Sequence, residues 1–266
     1  MIKVFIAGAT GWAGSELSKG VFKQEGMELV GGLSRSNNGK NLAEILNLGD
    51  GDIPVFDTIE KALETIDFDV LFDYTKPDIA KTNILAALKK GKKVIVGTSG
   101  LTSEDYSEIE KVALANNTSV LAVGNFAITV VLLQKFAEIA AKYIPNYEII
   151  DYAHEHKIDT PSGTVRELAH RLAQVQKPTV HIPTDQLVGE KETRGADMEG
   201  VHVHSVRLPG YVIAVETIFG LKDERLTIRH DSGTSAEPYV KGGLLAIEKI
   251  GTFKGLRRGL DTVMDF

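Results

Sequence analysis

The feature that most constrains this chain is a repeated unit: a short apolar run that stops at a glycine or polar turn and gives way to a helical pattern. Its sharpest instance is the first. Ile2 to Ala7 reads as a buried strand, Gly8-Ala9-Thr10-Gly11-Trp12-Ala13-Gly14 as a loop, and Ser15 to Phe22 as a helix. A glycine loop between a strand and a helix is the context in which backbone can cradle a pyrophosphate. Gly8 allows the tight turn, Gly11 lets the backbone approach a phosphate, and Gly14 allows the helix to pack closely on the strand. The spacing is G-x-x-G-x-x-G, so Thr10 stands where the commoner fingerprint has its second glycine. A strand–helix turn that binds nothing is the competing reading.

The unit recurs. Glu28 to Leu33 is a second strand, and its end lies about 20 residues past the loop, where an acidic side chain would hold the 2′-hydroxyl of NAD. Here Ser34-Arg35-Ser36-Asn37-Asn38 contains no carboxylate, and Arg35 offers a planar cation suited to a phosphate. That favours NADPH over NADH. Asn37 to Asp57 reads as a long polar connection with a short helix. Strands then follow at Phe68 to Asp73, Val94 to Val96 and Ser119 to Val123. They end in Tyr74-Thr75-Lys76-Pro77, Gly97-Thr98-Ser99-Gly100 and Gly124-Asn125-Phe126, with helices at Ile79 to Lys90 and Glu104 to Asn116 between them. The alternation predicts an α/β fold: a Rossmann-type doubly wound parallel sheet with right-handed crossovers. Ligands of such sheets sit beyond the carboxyl ends of the strands. Thr75, Thr98, Ser99 and Asn125 are therefore expected along one crevice.

After Phe126 the pattern changes. A helix from about Thr129 to Tyr143 and a strand from Tyr147 to Asp151 lead into Tyr152-Ala153-His154-Glu155-His156-Lys157-Ile158-Asp159-Thr160-Pro161-Ser162-Gly163-Thr164. Val165 to Leu172 continues as a helix. Pro161 is a helix-entry residue, and Thr164 with Glu167 has capping-box spacing. The amides of Ser162, Gly163 and Thr164 would then face an anion at a positive helix end, with Lys157 adding a full charge. The pattern suits an acidic substrate; a capped helix with solvated charges is the plainer alternative. A polar stretch from Gln174 to Gly200 precedes three strands expected to be antiparallel, Val201 to Leu208, Tyr211 to Phe219 and Arg225 to Arg229. Their turns are placed at Pro209-Gly210 and Leu221-Lys222-Asp223-Glu224. The pattern after Phe126 reads as a second, α+β domain, and an apolar helix from Tyr239 to Ile250 closes the chain.

Composition narrows the function. A net charge of -6 over 266 residues argues against a nucleic-acid partner, and Lys89-Lys90-Gly91-Lys92-Lys93 reads as cations at a helix C-terminus. The chain has 0 Cys, which rules out disulfides and thiolate metal sites. His202 and His204 alternate on one strand face with no third ligand nearby, so no metal site is expected. His230-Asp231 either faces the crevice or forms a structural pair. The apolar window Val120 to Leu133 is broken by Gly124, Asn125 and Thr129, short of the ~18 apolar residues of a membrane span. Only Lys3 precedes the first apolar run, which does not read as a signal peptide, so a cytoplasmic protein without a membrane partner is expected.

The glycine loop at 8–14, Asp73-Tyr74-Thr75, Gly97-Thr98-Ser99-Gly100, Gly124-Asn125-Phe126 and His154-x-x-Lys157-x-Asp159-x-Pro161-Ser162-Gly163-Thr164 occur in an order that resembles the dihydrodipicolinate reductase (4-hydroxy-tetrahydrodipicolinate reductase) family. Val203 to Gly210 and Leu226 to Ser232 are similar to that family as well. The resemblance implies NAD(P)H-dependent reduction of a cyclic imine or enamine dicarboxylate in diaminopimelate and lysine synthesis, usually by a homotetramer built through the second domain's sheet. It implies a dinucleotide-binding domain of residues 1–125 and 235–266, with residues 126–234 inserted for substrate binding and oligomerisation. The implied cofactor residues are Gly8, Ala9, Thr10, Gly11, Trp12, Ala13, Arg35, Gly97, Thr98, Ser99, Val123, Gly124, Asn125 and Phe126, and Ser34 and Thr75 are expected with them from their places at the strand ends. The resemblance implies His154, Gly163 and Thr164 as holders of the substrate carboxylates and Lys157 as a catalytic lysine; Lys157, Ser162 and Ser99 are expected to bind substrate with them, and His154 to act in catalysis beside Lys157.

Three positions depart from the family pattern. The first of its two adjacent histidines, held to be the proton donor, is Ala153; Ser34 replaces the usual ribose acid; and the segment 233–238 lacks an arginine often found there. With Ala153 unable to give a proton, Lys157 is the expected donor and His154 the holder of a carboxylate. The departures leave two further readings, a reductase of another small imino or keto acid and an NADPH-sensing protein without turnover.

Overall fold

The computed structural model describes residues Met1 to Phe266. In chain order the elements begin β1 (Ile2–Ala7), α1 (Trp12–Lys23), β2 (Met27–Leu33), α2 (Leu42–Leu46), β3 (Val55–Phe56), α3 (Ile59–Thr65) and β4 (Val70–Asp73). They continue α4 (Pro77–Lys89), β5 (Lys93–Val96), α5 (Ser103–Ala115), β6 (Ser119–Ala122), α6 (Ile128–Ala141), β7 (Tyr147–Ala153) and α7 (Gly163–Val175). The last are β8 (Ala196–Met198), β9 (Val201–Arg207), β10 (Ile213–Leu221), β11 (Glu224–Ser232), α8 (Pro238–Lys249) and β12 (Gly255–Arg258). They form two compact units, Met1–Ile128 with Ala236–Phe266, and Thr129–Ser235.

The first unit is a seven-stranded sheet in the order β12-β6-β5-β4-β1-β2-β3, with every pairing parallel. Parallel sheets are covered on both faces, so their strands are apolar throughout rather than alternating. Val4, Phe5, Ile6 and Ala7 are accordingly all buried, as are Val70, Leu71 and Phe72. The order reverses between β1 and β4, the switch point at which ligands of such sheets bind. Local chemistry sets the helix starts: Thr102 and Asp105 make a reciprocal capping box on α5, and Pro77 opens α4. The sequence pattern missed β3, α3 and β12. The first two are short, and β12 is an edge strand whose Arg257 and Arg258 are exposed, so it reads as a charged tail.

The second unit is a five-stranded sheet in the order β11-β10-β7-β9-β8. β7 alternates, with Tyr147, Ile149, Asp151 and Ala153 buried and the residues between them half-buried. Tyr147 and Ile149 pack with Leu133 and Ala137 of α6 and Val165, Leu168 and Leu172 of α7. One expectation is corrected here. β9 pairs with β7 in parallel, β10 pairs with β7 antiparallel, and so Pro209-Gly210 closes no hairpin. A turn signal records that the chain reverses, while the partner of a strand is decided by which apolar faces meet. β10 and β11 do form the expected antiparallel pair, turning at Lys222 and Asp223. The strand β8 was missed because it is three residues inside a polar stretch. No helix of either unit is long and apolar enough to cross a membrane.

Candidate active site

At the carboxyl edge of β1, glycine is required twice by backbone packing. A Cβ on Gly8, whose φ is +81°, would stand 2.4 Å from the Tyr74 carbonyl oxygen, and one on Gly14 would stand 2.0 Å from the Gly8 carbonyl oxygen. These contacts draw the start of α1 down onto β1 and β4. At Gly11 only the Gly8 oxygen lies near, at 3.2 Å, so the loop's outer face has room for a ligand. Gly11 precedes α1 and provides no side-chain cap, which leaves the first amides of α1, from Trp12 and Ala13, without an acceptor in the protein. Ala9 is buried beneath the loop, while Trp12 is 62% exposed and meets Tyr239 edge-on.

The end of β2 gathers hydroxyl and amide groups. Thr10 Oγ1 lies 2.9 Å from Ser34 Oγ, and Asn37 Nδ2 donates to both, at 3.4 and 3.3 Å. Lys40 Nζ donates to Asn37 Oδ1 at 3.1 Å, and Arg35 stands exposed at the start of the turn between. None of these residues is acidic. Thr10, Ser34 and Arg35 were singled out in the sequence; Asn37 and Lys40 were not, because the 3-10 turn Arg35–Asn37 that folds them back carries no strong sequence signal.

The ends of β4 and β5 are tied by Asp73, which has no exposed surface. Its Oδ1 accepts from the Thr75 amide at 2.9 Å, the Thr75 hydroxyl at 2.7 Å and the Thr98 hydroxyl at 2.7 Å; its Oδ2 accepts from Asn83 Nδ2 at 2.9 Å. The two threonine hydroxyls therefore point inward and fix the turns, leaving backbone to face a ligand. Gly97 packs on the Tyr74 ring, where a Cβ would come within 2.2 Å. Tyr74 and Phe126 meet edge-on at 5.7 Å. The Tyr74 hydroxyl is buried without a partner, and burial pushes the phenol pKa up. Val123 is buried, Ser99 and Gly124 are exposed, and Asn125 Oδ1 accepts from the Ala127 amide at 2.9 Å.

In the second unit, the start of α7 differs from the sequence reading. Ser162 is the N-cap, its Oγ accepting from the Val165 amide at 3.4 Å, so Pro161 lies before the cap and Thr164 with Glu167 makes no capping box. Nor is the Ser162 amide free: it donates to Asp151 Oδ2 at 2.8 Å, and Ser162 is 2% exposed. A buried carboxylate on β7, invisible in local sequence, claimed that donor. Gly163 and Thr164 retain amides with no acceptor in the protein at the positive end of a 13-residue helix. Lys157 Nζ lies 2.6 Å from Asp159 Oδ1 and holds that carboxyl below its usual range, chiefly through this hydrogen bond. His154 is exposed, with its ring 6.4 Å from that of His156, and Ala153 is fully buried. This turn thus gathers an ammonium, imidazoles and free amides, donors suited to carboxylates.

The remaining histidines pair elsewhere. His204 Nε2 lies 2.7 Å from Glu148 Oε2, which Arg194 also binds. Asp231 is held by both Nε and Nη2 of Arg229, so His230 is bonded to Thr129 Oγ1 at 2.9 Å rather than to its neighbour. No group of three or more His, Cys, Asp or Glu is placed to hold a metal ion.

Residues 2–126 match the family described as dihydrodipicolinate reductase, N-terminus, and residues 129–264 match dihydrodipicolinate reductase, C-terminus. The chain belongs to the dihydrodipicolinate reductase family. The 4-hydroxy-tetrahydrodipicolinate reductase of Listeria monocytogenes serotype 4b is 36% identical over 264 residues, covering 99% of this chain and 100% of that relative. That of Halalkalibacterium halodurans is 37% identical over 265 residues and covers 100% of both. Among solved structures, dipicolinate-bound dihydrodipicolinate reductase from Paenisporosarcina sp. TG-14 superposes with a TM-score of 0.88 at 33% identity, covering 99% of this chain and 100% of the other. The likeness to dihydrodipicolinate reductases thus runs through both units, the glycine loop of the first and the Lys157–Thr164 turn of the second included.

Proposed function

We propose that this dihydrodipicolinate reductase family member reduces 4-hydroxy-tetrahydrodipicolinate to tetrahydrodipicolinate with NADPH, in diaminopimelate and lysine synthesis. The observation that carries the proposal is the start of α7: two free amides at Gly163 and Thr164, with Lys157 and His154 on the turn that leads into it. A dicarboxylate presents two anions to such a turn, and holding both fixes the orientation of the ring between them. The relative bound to dipicolinate, a planar dicarboxylate, supports the same class of ligand.

The residues of the first unit fit a dinucleotide. The loop Gly8, Ala9, Thr10, Gly11, Trp12, Ala13 has an open outer face at Gly11 and uncapped amides at the start of α1, suited to a pyrophosphate. Thr10, Ser34, Asn37, Arg35 and Lys40 supply donors and cations at the position of the 2′ group, which suits a phosphate and supports NADPH over NADH. Thr75, Gly97, Thr98, Ser99, Val123, Gly124, Asn125 and Phe126 line the neighbouring strand ends and are proposed to hold the nicotinamide half. When bound, the cofactor supplies a hydride from C4 of its nicotinamide.

Reduction of a carbon–nitrogen or carbon–carbon double bond needs one proton for each hydride. Ala153 has none to give. Lys157 is the proposed donor, held in place by the 2.6 Å hydrogen bond from its Nζ to Asp159 Oδ1. His154 and the amides of Gly163 and Thr164 hold carboxylates. The proposal includes assembly as a homotetramer through the second unit's sheet, whose alternate face of Glu148, Ile150 and Tyr152 is half-buried, and a place in the cytoplasm.

Steady-state oxidation of NADPH by the purified chain with freshly formed dihydrodipicolinate tests the proposal. Turnover is expected. Tight NADPH binding without turnover would refute it in favour of a nucleotide sensor, and turnover only with other imino or keto acids, the reading that Ala153 favours, would refute the substrate.

A further inference from the structure

Asp151 and Arg207 stand behind the proposed substrate turn, and neither has a role in the reaction as described so far. Asp151 belongs to β7 and has no exposed surface. Arg207 ends β9, the strand parallel to β7, with its side chain 16% exposed. One guanidinium nitrogen, Nη2, donates to Asp151 Oδ2 at 2.6 Å and to the Asp159 carbonyl at 2.9 Å. The other, Nη1, donates to the carbonyls of Asp151 at 3.2 Å and Val206 at 3.0 Å. The same carboxylate oxygen, Asp151 Oδ2, accepts from the Ser162 amide at 2.8 Å. A single ion pair therefore grips both ends of the segment 159–162. Arg166 Nη1 holds the Pro161 carbonyl between them at 2.5 Å.

The two gripped points are the ones the reaction needs. Asp159 is the partner of Lys157, and Ser162 is the cap from which the Gly163 and Thr164 amides project. We infer that Asp151 and Arg207 are positioning residues that set the distance between the Lys157 ammonium and the start of α7, and thereby the spacing of the two carboxylates the site accepts. This rests on the substrate site proposed above. Stability alone is a poor reason for the pair. Burying two charges is costly, and well-packed apolar residues serve a core as well or better. Asp151 Oδ1 and Arg207 Nε also have no hydrogen-bond partner, so the pair is not optimised as a stabilising network. Its geometry is optimised for the turn.

The test uses the full chain with Arg207→Lys, Arg207→Met and Asp151→Asn. Each is followed by calorimetric titration with dipicolinate, by kcat and KM with dihydrodipicolinate, by NADPH titration and by thermal unfolding. Misplacing a binding group by about 1 Å can cost on the order of 10²-fold, so Arg207→Met and Asp151→Asn are expected to lose at least ~10-fold in dipicolinate affinity and in kcat/KM. Arg207→Lys, which keeps a cation but not the fork, is expected to fall between parent and Arg207→Met. NADPH affinity is expected to be unchanged in all three. Because the residues act as one unit, the Asp151→Asn/Arg207→Met double variant is expected to be no worse than the weaker single. Folded variants with parental dipicolinate affinity and kcat/KM would overturn the inference, as would failure of all three to fold, which would make the pair a stability device. Lys157→Ala separates the two levels. If it abolishes dipicolinate binding while the Arg207 variants leave it intact, the positioning role alone falls. If the parent does not bind dipicolinate, the substrate site falls and the inference falls with it.

Discussion

Gly163→Ala isolates the helix-end amides from everything else in the site. The φ of Gly163 lies outside the left-handed region, and a Cβ built on it meets only Arg166 Nη2, at 3.9 Å. The methyl is therefore accommodated without strain, and restricting the unfolded chain should leave stability unchanged or raise it by up to about 1 kcal/mol. Its direction is what matters. Each Cα–Cβ bond of a helix tilts toward the N-terminus, so the methyl projects to the side from which a carboxylate would approach. Displacing the carboxylate from one amide forfeits a charge-assisted hydrogen bond, about 1.5–3 kcal/mol, or roughly 10- to 150-fold in kcat/KM. The assay pairs thermal unfolding with dipicolinate titration and steady-state NADPH oxidation. Stability and activity are expected to move in opposite directions. Gly14→Ala is the contrast: its Cβ would lie 2.0 Å from the Gly8 carbonyl oxygen, so stability and NADPH binding are expected to fall together. A folded Gly163→Ala protein with parental dipicolinate affinity and kcat/KM would refute the assignment of α7 as a carboxylate holder.

Lys157→Ala should cost about 2–4 kcal/mol in transition-state stabilisation with NADPH affinity intact, and near-parental turnover would remove Lys157 from the chemistry. Arg35→Ala should weaken NADPH by about 1.5–3 kcal/mol and spare NADH; equal loss for both cofactors by calorimetry would exclude a 2′-phosphate contact. Burial lowers the pKa of His230 from 6.5, so as pH falls the unfolded chain takes up that proton first. Its contribution to stability is full above pH 6.5 and declines as pH drops from there toward the folded pKa. His230→Gln should flatten this part of the profile, and superimposable denaturation profiles at pH values on either side of 6.5 would show that His230 does not titrate differently on folding.

Sequence alone determined the elements whose cause is local. Buried parallel strands are continuous apolar runs, so β1, β4, β5 and β6 were legible within a residue or two. Their polar and glycine turns marked the carboxyl edge of the sheet, and the Lys157–Thr164 motif marked the turn into α7. What depends on a distant partner was not legible. The pairing of β9 with β7, the capture of the Ser162 amide by Asp151, the tying of Thr75 and Thr98 by Asp73, and the fork of Arg207 all join residues 11 to 56 positions apart or turn a side chain away from the face its neighbours suggest. Hydrophobic period and turn chemistry are short-range signals and carry the location of a candidate site. Which donors in it remain free for a ligand is settled only when the tertiary fold has satisfied the buried polar groups around them.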